Sequence, residues 1–339
     1  MNKMPPLCTF RTSKGHTMKR RTFLLGCAAM PLAASFAAGQ AGWPSQVVRI
    51  IVPFVPGAFT DISARLLAQE LTGQLGQPVI VENRGGSGGT AGTVAVARAA
   101  PDGYTLLLTD TSLSVSPGLY QNLPYDPLKD LAQISRIAES PSILLVRPGL
   151  GPKTLGELVR LLMQKPGELT FGSGGPGSSA HLAMELLLNL SGTKALHVPF
   201  RGVAAAIAEV IAGRVDMGIA SLASGVAQVQ AGTLIGLAVS GNMRSELLPD
   251  VPTFAEAGAP GYDMSYWWGI AAPAATPRPI IERLNREIVI ASAKPRLREA
   301  YLKQAALAVS STPEEMTRHL EREIAVWREI IATAKVTIQ

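Results

Sequence analysis

Four glycine-rich turns carry most of the groups that could bind a small charged molecule. They cover residues 53–61, 83–91, 171–179 and 197–202, and each precedes a helical pattern. The first N–H groups of a helix have no partner inside the helix, and the helix dipole adds positive charge beside them. The chemistry that these turns favour is therefore the binding of an anion.

The first and third turns offer hydroxyl groups beside the free N–H groups. In the first turn, Thr60 or Asp61 is expected to cap the following helix while the backbone binds the anion. The Asp61 carboxylate should not face an anionic ligand, because like charges repel. The third turn resembles a phosphate-binding loop, but Ser178 occupies the position of its lysine, which leaves a nest for a smaller anion. His181 in the next helical turn is either structural or part of the site.

The second and fourth turns each allow two interpretations. Gly86, Gly88 and Ala91 match the dinucleotide-binding pattern, and Asp110 follows at the distance expected of a ribose-binding acid. This spacing suggests an alternative function, an exported NAD(P)-dependent oxidoreductase. The structural interpretation is a glycine-rich turn that lets the next helix pack closely. In the fourth turn, Arg201 either clamps a carboxylate or remains solvated.

Residues typical of catalysis and metal binding are scarce. Ser173 lacks the first glycine of a Gly-x-Ser-x-Gly nucleophile elbow, and no acid–base pair of carboxylates is recognisable. Both cysteines, Cys8 and Cys27, precede residue 42, and the three histidines beyond it lack the i, i+4 spacing of a helical metal site. We therefore predict no catalytic residue, no metal and no cofactor.

The excess basic charge of the chain belongs to its first 41 residues. Six of the 31 Lys and Arg residues lie there without any acid, which leaves 25 basic and 25 acidic residues in the remainder. A neutral body disfavours nucleic-acid binding. Residues 19–38 combine a short basic region with an apolar stretch, and small residues follow near 37–41. This layout predicts a secretory signal peptide within residues 1–41, translation from Met18 and a periplasmic mature protein.

Two arginines in this leader leave the export route open. Arg20 and Arg21 fit a twin-arginine signal and fit an ordinary basic region equally well. Cys27 matches a lipoprotein signal, but only five residues separate it from Arg21, fewer than the ~7 apolar residues that such a leader needs.

Beyond the leader, short apolar runs alternate with amphipathic stretches. The runs predict strands at residues 47–54, 78–82, 104–109, 142–146, 169–171, 195–198, 215–219 and 235–239. The amphipathic stretches predict helices at residues 62–75, 90–100, 155–164, 181–190, 203–212, 224–231, 277–294 and 313–334. This alternation is typical of parallel sheets covered by helices and indicates an α/β protein with two lobes and a cleft.

Motifs in order along residues 43–336 resemble one protein family. They include Trp43-Pro44-Ser45, the 53–61 loop, residues 81–84 with the glycines that follow, 100–105, 172–182, 197–202, 213–216, 244–245, 248–253, 256–258, 268–269, 272–273 and 284–285. Together they resemble the extracytoplasmic solute receptors of tripartite tricarboxylate transporters, the Bug or TctC-like proteins.

This resemblance implies an α/β type II periplasmic-binding-protein fold, two lobes joined by two crossing strands with the ligand cleft between them. One lobe would comprise residues 42–145 and 265–339, and the other 146–264, with crossings near 142–148 and 267–273. Loops of both lobes would hold the ligand. The ligand-binding residues expected on this basis are Phe54, Pro56, Gly57, Ala58, Phe59, Thr60, Asp61, Asp110, Thr111, Ser173, Gly177, Ser178, His181 and Arg201.

The function implied by the resemblance is that of a monomeric receptor without catalytic activity. It would capture a small organic acid and deliver it to a two-component integral membrane permease. Three residues depart from the family pattern, and one of them, Ala275 in place of a usual glycine, bears on the hinge more than on the ligand. Ala58 stands where glycine is common and must adopt that glycine's backbone angles. Phe59 either enters the pocket, where it would favour an aromatic or long apolar acid, or packs outward.

Overall fold

The computed structural model describes residues 42–334, so the predicted signal peptide and the start at Met18 lie outside the described residues. The strands are β1 Val48–Val52, β2 Val79–Asn83, β3 Thr105–Asp110, β4 Leu131–Val146, β5 Thr170–Ser173, β6 Leu196–Pro199, β7 Met217–Ser221, β8 Ile235–Val239, β9 Ser265–Pro273 and β10 Leu307–Ala308. The helices are α1 Phe59–Leu75, α2 Thr90–Ala97, α3 Ser112–Leu119, α4 Leu155–Gln164, α5 Ser179–Ser191, α6 Val203–Ile211, α7 Leu222–Gln230, α8 Arg278–Ala293, α9 Pro295–Leu302 and α10 Pro313–Ala334.

Helix α1 illustrates how the sequence pattern produces these elements. Leu67, Leu71 and Leu75 recur every fourth residue and are buried, as expected of the core-facing stripe of an amphipathic helix. Gly76 then ends the helix in the left-handed conformation, with φ 69°, and its N–H donates to the Thr72 carbonyl.

The first sheet has the strand order β2–β1–β3–β9–β4. β1 pairs in parallel with β2 and β3, whereas β9 runs antiparallel to both β3 and β4. The second sheet has the order β4–β7–β5–β6, with β8 on the other side of β4. We call the parts built on these sheets lobe 1 and lobe 2.

Strand β4 belongs to both sheets. Residues Leu131 to Pro141 pair with β9, and residues Ser142 to Val146 pair with β7 and β8. The sequence predicted a strand only over residues 142–146. Its first part was missed because buried polar residues, among them Gln133 and Ser135, interrupt the apolar run. Two helices, α3 and α9, were also not predicted.

The turns at the carboxyl ends of the parallel strands lie at the junction of the two lobes. The chain enters α1 after β1, α5 after β5, α6 after β6 and α7 after β7. Since the parallel strands of one sheet end at the same edge, α5, α6 and α7 begin close together. The start of α1 joins them from the other sheet, where the Phe59 N–H donates to Ser224 Oγ. The glycine-rich turns found in the sequence therefore meet at one place.

Candidate functional site

A cavity lies between the two lobes. Lobe 1 lines it from the turn after β1, the end of β3 and β9, with Phe54, Ala58, Thr60, Asp110, Tyr266 and Trp268. Lobe 2 lines it from the starts of α5, α6 and α7, with Gly174, Ser178, Ser179, Ala180, Val203, Ser221 and Ser224. Most of these residues are buried, so a molecule in the cavity would be shielded from bulk water.

Four helix N-termini converge on this cavity. Helices α1, α5, α6 and α7 each contribute their N-cap or first-turn residues to its lining. The partial positive charge at a helix start attracts anions, and the first-turn N–H groups can donate hydrogen bonds to them. The convergence of four such ends in a buried space favours a negatively charged ligand.

Hydroxyl groups supply most of the polar side chains of the cavity. They belong to Thr60, Ser178, Ser179, Ser221 and Ser224. None of the described residues that line the cavity is Lys, Arg or His, and Asp110 is the only acid among them. An anion here would therefore be held by neutral donors and helix dipoles rather than by an ion pair.

Asp110, at the end of β3, places a carboxyl group in the cavity wall. Its Oδ1 accepts a hydrogen bond from the Ser112 N–H at 3.0 Å, and burial raises its pKa to about 6. The buried Tyr266 hydroxyl has no hydrogen-bond partner among the described residues. Trp268, on the same strand as Tyr266, donates from Nε1 to Thr60 Oγ1 at 3.0 Å, which leaves the Thr60 hydroxyl proton free to donate.

The first turn contributes fewer side chains than the sequence suggested. Phe54, Ala58 and Thr60 line the cavity, whereas Pro56 and Gly57 are exposed and do not. Ala58 is extended, with φ −94° and ψ 169°, so its side chain meets no backbone strain. The left-handed residue of the turn is Gly57, with φ 108°. The concern that Ala58 must adopt a glycine conformation was wrong.

The Phe59 ring neither enters the cavity nor packs outward. It is fully buried, with its centroid 4.6 Å from that of Trp268 and 5.3 Å from that of Tyr301, both in edge-on contact. The helix begins at Phe59 itself, which turns this side chain toward the core. Only its backbone N–H reaches the lobe junction, where it donates to Ser224 Oγ at 3.3 Å.

Asp61 also has a structural place rather than one in the cavity wall. Its carboxylate forms an ion pair with Arg65 at 2.9 Å and accepts a hydrogen bond from Asn83 Nδ2 at 3.0 Å. Neither Asp61 nor Thr60 caps α1 as predicted, because the N-cap is Ala58 and it makes no side-chain cap bond. Asp61 instead ties the start of α1 to the end of β2.

The third turn rests on two stacked histidines. The His181 and His197 rings lie 4.0 Å apart, and Ser173 Oγ lies 2.6 Å from His197 Nε2. The Gly177 N–H donates to His181 Nδ1 at 3.3 Å. Burial lowers the pKa of His181 to about 3, with a further contribution from His197, and burial lowers the pKa of His197 to about 4. Both rings are therefore neutral at pH 7.

Of the residues predicted in this turn, only Ser178 lines the cavity. Ser173, Gly177 and His181 lie behind the lining and shape the loop. Ser178 caps α5 by accepting a hydrogen bond from the His181 N–H at 3.3 Å. The predicted candidates in this turn thus divide into one lining residue and three that support it.

Two further candidates lie outside the lining. Thr111 is fully buried and its Oγ1 accepts a hydrogen bond from the Trp267 N–H at 3.1 Å. The Arg201 side chain is exposed, and its carbonyl accepts a hydrogen bond from the Val55 N–H at 3.3 Å. Arg201 joins the two lobes through its backbone.

The glycines of the turns allow the lobes to touch. A Cβ on Gly88 would lie 2.1 Å from the Pro176 carbonyl oxygen, and one on Gly85 would lie 3.1 Å from the Arg201 carbonyl oxygen. The 86–91 turn is therefore covered by lobe 2 instead of being open to a pyrophosphate. Asp110, expected as its ribose partner, belongs to the interlobe cavity.

Hydrogen bonds between the lobes hold this closed arrangement. The Ser179 N–H donates to Ser112 Oγ at 3.0 Å. The Tyr120 hydroxyl, which follows α3, donates to the Pro176 carbonyl at 2.6 Å. These bonds join the two walls of the cavity at its rim.

A wider groove lies away from the lobe junction, between β4, α8 and α10. Its walls include exposed charges of both signs, among them Lys129, Arg278 and Glu314. Solvent screens such charges, so this groove is a weaker candidate for a ligand site than the buried cavity.

Comparison with known families agrees with this geometry. The family described as "Tripartite tricarboxylate transporter family receptor" matches residues 63–336. The chain belongs to this family. The tripartite tricarboxylate transporter receptors are solute-binding proteins, and the sequence resemblance to the Bug and TctC-like proteins is thereby confirmed.

Solved structures show that this receptor has the expected fold. The periplasmic binding protein BugD is 31% identical and superposes with a TM-score of 0.85 over 88% of this chain and all of BugD. Rpa4515 of R. palustris, solved with adipate, is 32% identical with a TM-score of 0.84, covering 87% of this chain and 99% of its own. MatC of Rhodopseudomonas palustris, with bound malate, is 31% identical with a TM-score of 0.83, covering 85% and 100%. The type II periplasmic-binding-protein fold is confirmed.

Several lining residues of the receptor were not predicted. Ser221 and Ser224 follow a buried strand and begin a helix, the same signal that identified the other turns, but without glycines to mark it. Tyr266 and Trp268 lie within a strand and carry no local signal. Among residues 42–334, no helix combines the length and apolar composition that crossing a membrane requires.

Proposed function

We propose that this receptor captures a small organic acid in the interlobe cavity and delivers it to a membrane permease of the tripartite tricarboxylate type. The observation that carries the proposal is the convergence of α1, α5, α6 and α7 on a buried space lined by hydroxyls. Helix starts and hydroxyls donate hydrogen bonds to an ionised carboxylate more strongly than to its neutral form.

Two solved relatives support a carboxylate as the ligand. Rpa4515 holds adipate and MatC holds malate, so relatives with this fold bind dicarboxylates of different lengths. We propose Phe54, Ala58, Thr60, Asp110 and Ser178, together with the newly found lining residues, as the ligand-binding set.

The cellular setting follows from the leader and the family. We infer a periplasmic location from the predicted signal peptide and from the description of BugD as a periplasmic binding protein. Export by way of this signal peptide, a two-component permease as the partner and a monomeric state belong to the same proposal. We also propose that the lobes divide near residues 145 and 264, close to where β4 enters the second sheet and β9 begins.

Thermal unfolding against a ligand panel tests this function. The panel holds aliphatic and aromatic mono-, di- and tricarboxylates, with sugars and NAD(P)H as controls. A ligand at 100 times its Kd stabilises the protein by about 2.7 kcal/mol, which raises the Tm by about 5 °C for a chain of this size. A rise restricted to acids supports the receptor. A rise only with sugars or NAD(P)H would overturn it.

A further inference from the structure

The cavity of a carboxylate receptor contains a carboxyl group of its own. Asp110 is 6% exposed, lines the cavity and has no lysine, arginine or histidine beside it among the described lining residues. Its Oδ1 accepts the Ser112 N–H at 3.0 Å, and the Ser112 side chain is a second hydrogen-bonding neighbour of the carboxylate. A plain dicarboxylate in this space would bring like charges together without a counter-ion.

The Tyr266 hydroxyl stands in the same wall. It is 5% exposed, lines the cavity and has no hydrogen-bond partner among the described residues. Asp110 and Tyr266 are close enough to influence each other electrostatically. The Asp110 carboxylate offers hydrogen-bond acceptors, and the protonated Tyr266 hydroxyl can accept or donate, on a side of the cavity whose remaining walls present donors. A buried polar group lowers stability unless it forms a hydrogen bond, so a ligand that supplies a hydrogen-bond partner would stabilise both groups.

We propose that Asp110 and Tyr266 select carboxylates that carry a hydrogen-bond donor, an ammonium or a hydroxyl group, over plain carboxylates of the same skeleton. This inference rests on the proposed function, because it assigns a ligand class to the same cavity. The helix starts bind the ligand carboxylate, and Asp110 accepts the hydrogen bond from the donor. A charge-assisted bond of this kind is among the strongest available in a buried site.

The protonation of Asp110 sharpens the inference. The titratable groups that face it are Tyr125, from the segment after α3, and Tyr266, from β9. Burial raises the pKa of Tyr125 to about 12 and the pKa of Tyr266 well above 10, so both stay protonated. Asp110, with a pKa of about 6, is the group of these three that changes charge near neutral pH. Ionised Asp110 accepts from a ligand donor, whereas protonated Asp110 accommodates a plain dicarboxylate.

Matched ligands test the proposal by calorimetry on the purified protein at pH 7.5. Succinate, malate and aspartate share a four-carbon skeleton and differ in carrying no donor, a hydroxyl or an ammonium. Adipate and 2-aminoadipate form a six-carbon pair. We expect the donor-bearing acid to bind roughly tenfold more tightly within the skeleton that fits. The malate and aspartate arms distinguish a hydroxyl from an ammonium.

Asp110→Asn is the decisive variant, since Asn keeps an oxygen that can accept the Ser112 N–H. It should reduce the preference to within about threefold and bind plain dicarboxylates more tightly than the native protein does. Asp102→Asn is the matched control. Asp102 makes the same kind of contact as Asp110, because its Oδ1 accepts the N–H of the residue two positions later, Tyr104, at 3.1 Å. Asp102 is exposed, however, and lies before β3, at the end of the strand opposite to Asp110. Its ligand preference should not change.

The pH profile of the native protein gives a second readout if Asp110→Asn does not fold. Between pH 7.5 and 5, affinity for the ammonium-bearing acid should fall relative to affinity for its plain analogue. Where Asp110→Asn folds, the pH dependence of its affinities measures the contribution of ligand titration, which is then subtracted from the profile of the native protein. Equal affinities that neither the variant nor pH alters would overturn this inference while the receptor function stands. Failure of every acid to bind would overturn both.

Discussion

Gly88 of lobe 1 and Pro176 of lobe 2 approach so closely that a single added methyl group would collide with the opposite lobe. A Cβ on Gly88 would lie 2.1 Å from the Pro176 carbonyl oxygen. Gly88 also has φ 62°, a conformation that other residues rarely adopt. The turn therefore needs glycine for two separate reasons, its own backbone and the contact between lobes.

Gly88→Ala should prevent full closure and weaken ligand binding by tenfold or more, because the new Cβ meets a backbone atom that cannot rotate away. Gly192→Ala is the matched control. Gly192 has nearly the same backbone angles, φ 63° and ψ 27° against φ 62° and ψ 23° for Gly88, but no atom lies within 4 Å of its added Cβ. Each variant should lose a similar ~1–2 kcal/mol of stability.

Calorimetric titration of both variants with the tightest-binding ligand of the panel distinguishes the effect of backbone strain from the effect of incomplete lobe closure. Only Gly88→Ala should lose affinity. Equal affinity in the two variants would show that the lobes need not meet at Gly88 to hold the ligand.

Tyr120→Phe should speed ligand release. The Tyr120 hydroxyl donates to the Pro176 carbonyl at 2.6 Å, and this bond exists only when the lobes are closed. A hydrogen bond of this kind contributes about 1 kcal/mol, so we expect about fivefold weaker binding, mostly through a larger dissociation rate.

Tyr104→Phe is the control for this measurement. The Tyr104 hydroxyl accepts from the Ser45 N–H at 3.0 Å, and this exposed contact lies within lobe 1. Stopped-flow displacement should show an unchanged rate for this variant. A Tyr120→Phe rate indistinguishable from the native one would remove Tyr120 from the closure contacts.

Phe59→Ala should lower stability without changing ligand preference. The ring fills a fully buried site against Trp268 and Tyr301, so its removal should cost about 3–5 kcal/mol of the free energy of unfolding. Urea denaturation of the ligand-free protein measures this loss, and the carboxylate panel measures preference. A reordered ranking of acids would restore the hypothesis that Phe59 contacts the ligand.

Acidification should destabilise the protein through its buried histidines. Burial lowers the pKa of His181 to about 3 and of His197 to about 4, so between pH 6.5 and about 4 the unfolded chain binds protons that the folded chain does not. Stability then falls as pH falls through that window. Burial raises the pKa of Asp110 to about 6 and also raises the pKa of Glu185, and these two groups act in the opposite direction. Burial lowers the pKa of His319 to about 4 as well, so three histidines oppose the two carboxyl groups.

The Tm should therefore drop steadily from pH 7 to 4.5, with a shallower slope in His197→Gln. Glu185 is the acid nearest to this pair, 3.7 Å from His181 Nε2, and burial raises its pKa. Differential scanning calorimetry across this range provides the measurement. An unchanged slope in the variant would mean that the pKa of His197 is the same in the folded and the unfolded chain.

Much of the fold could be predicted because its signals are local. The spacing of Leu67, Leu71 and Leu75 identifies α1, and the capping and acidic residues after Thr312 identify the start of α10. Strand β4 was predicted only in part, since it buries polar residues such as Ser135 whose hydrogen-bond partners lie far away in sequence. Ser135 Oγ, for example, accepts the Ser311 N–H, 176 residues away.

The candidate site was predictable where helix starts define it and unpredictable where distant strands complete it. Ser178 and Thr60 follow recognisable turns. Tyr266 reaches the cavity only because β9 returns antiparallel to β3, pairing Trp268 with Asp110. Phe59 was misjudged because its partners Trp268 and Tyr301 lie more than 200 residues away in sequence.

The enclosure of the cavity has a kinetic consequence. Ser178, Ser221 and Trp268 are each 2% exposed or less, so a bound molecule is largely enclosed while the lobes touch. Its release then requires the lobes to separate, and contacts that the ligand makes with both lobes slow that separation. Acids that bridge the two lobes more strongly would therefore remain bound for longer, because each of them stabilises the closed state more.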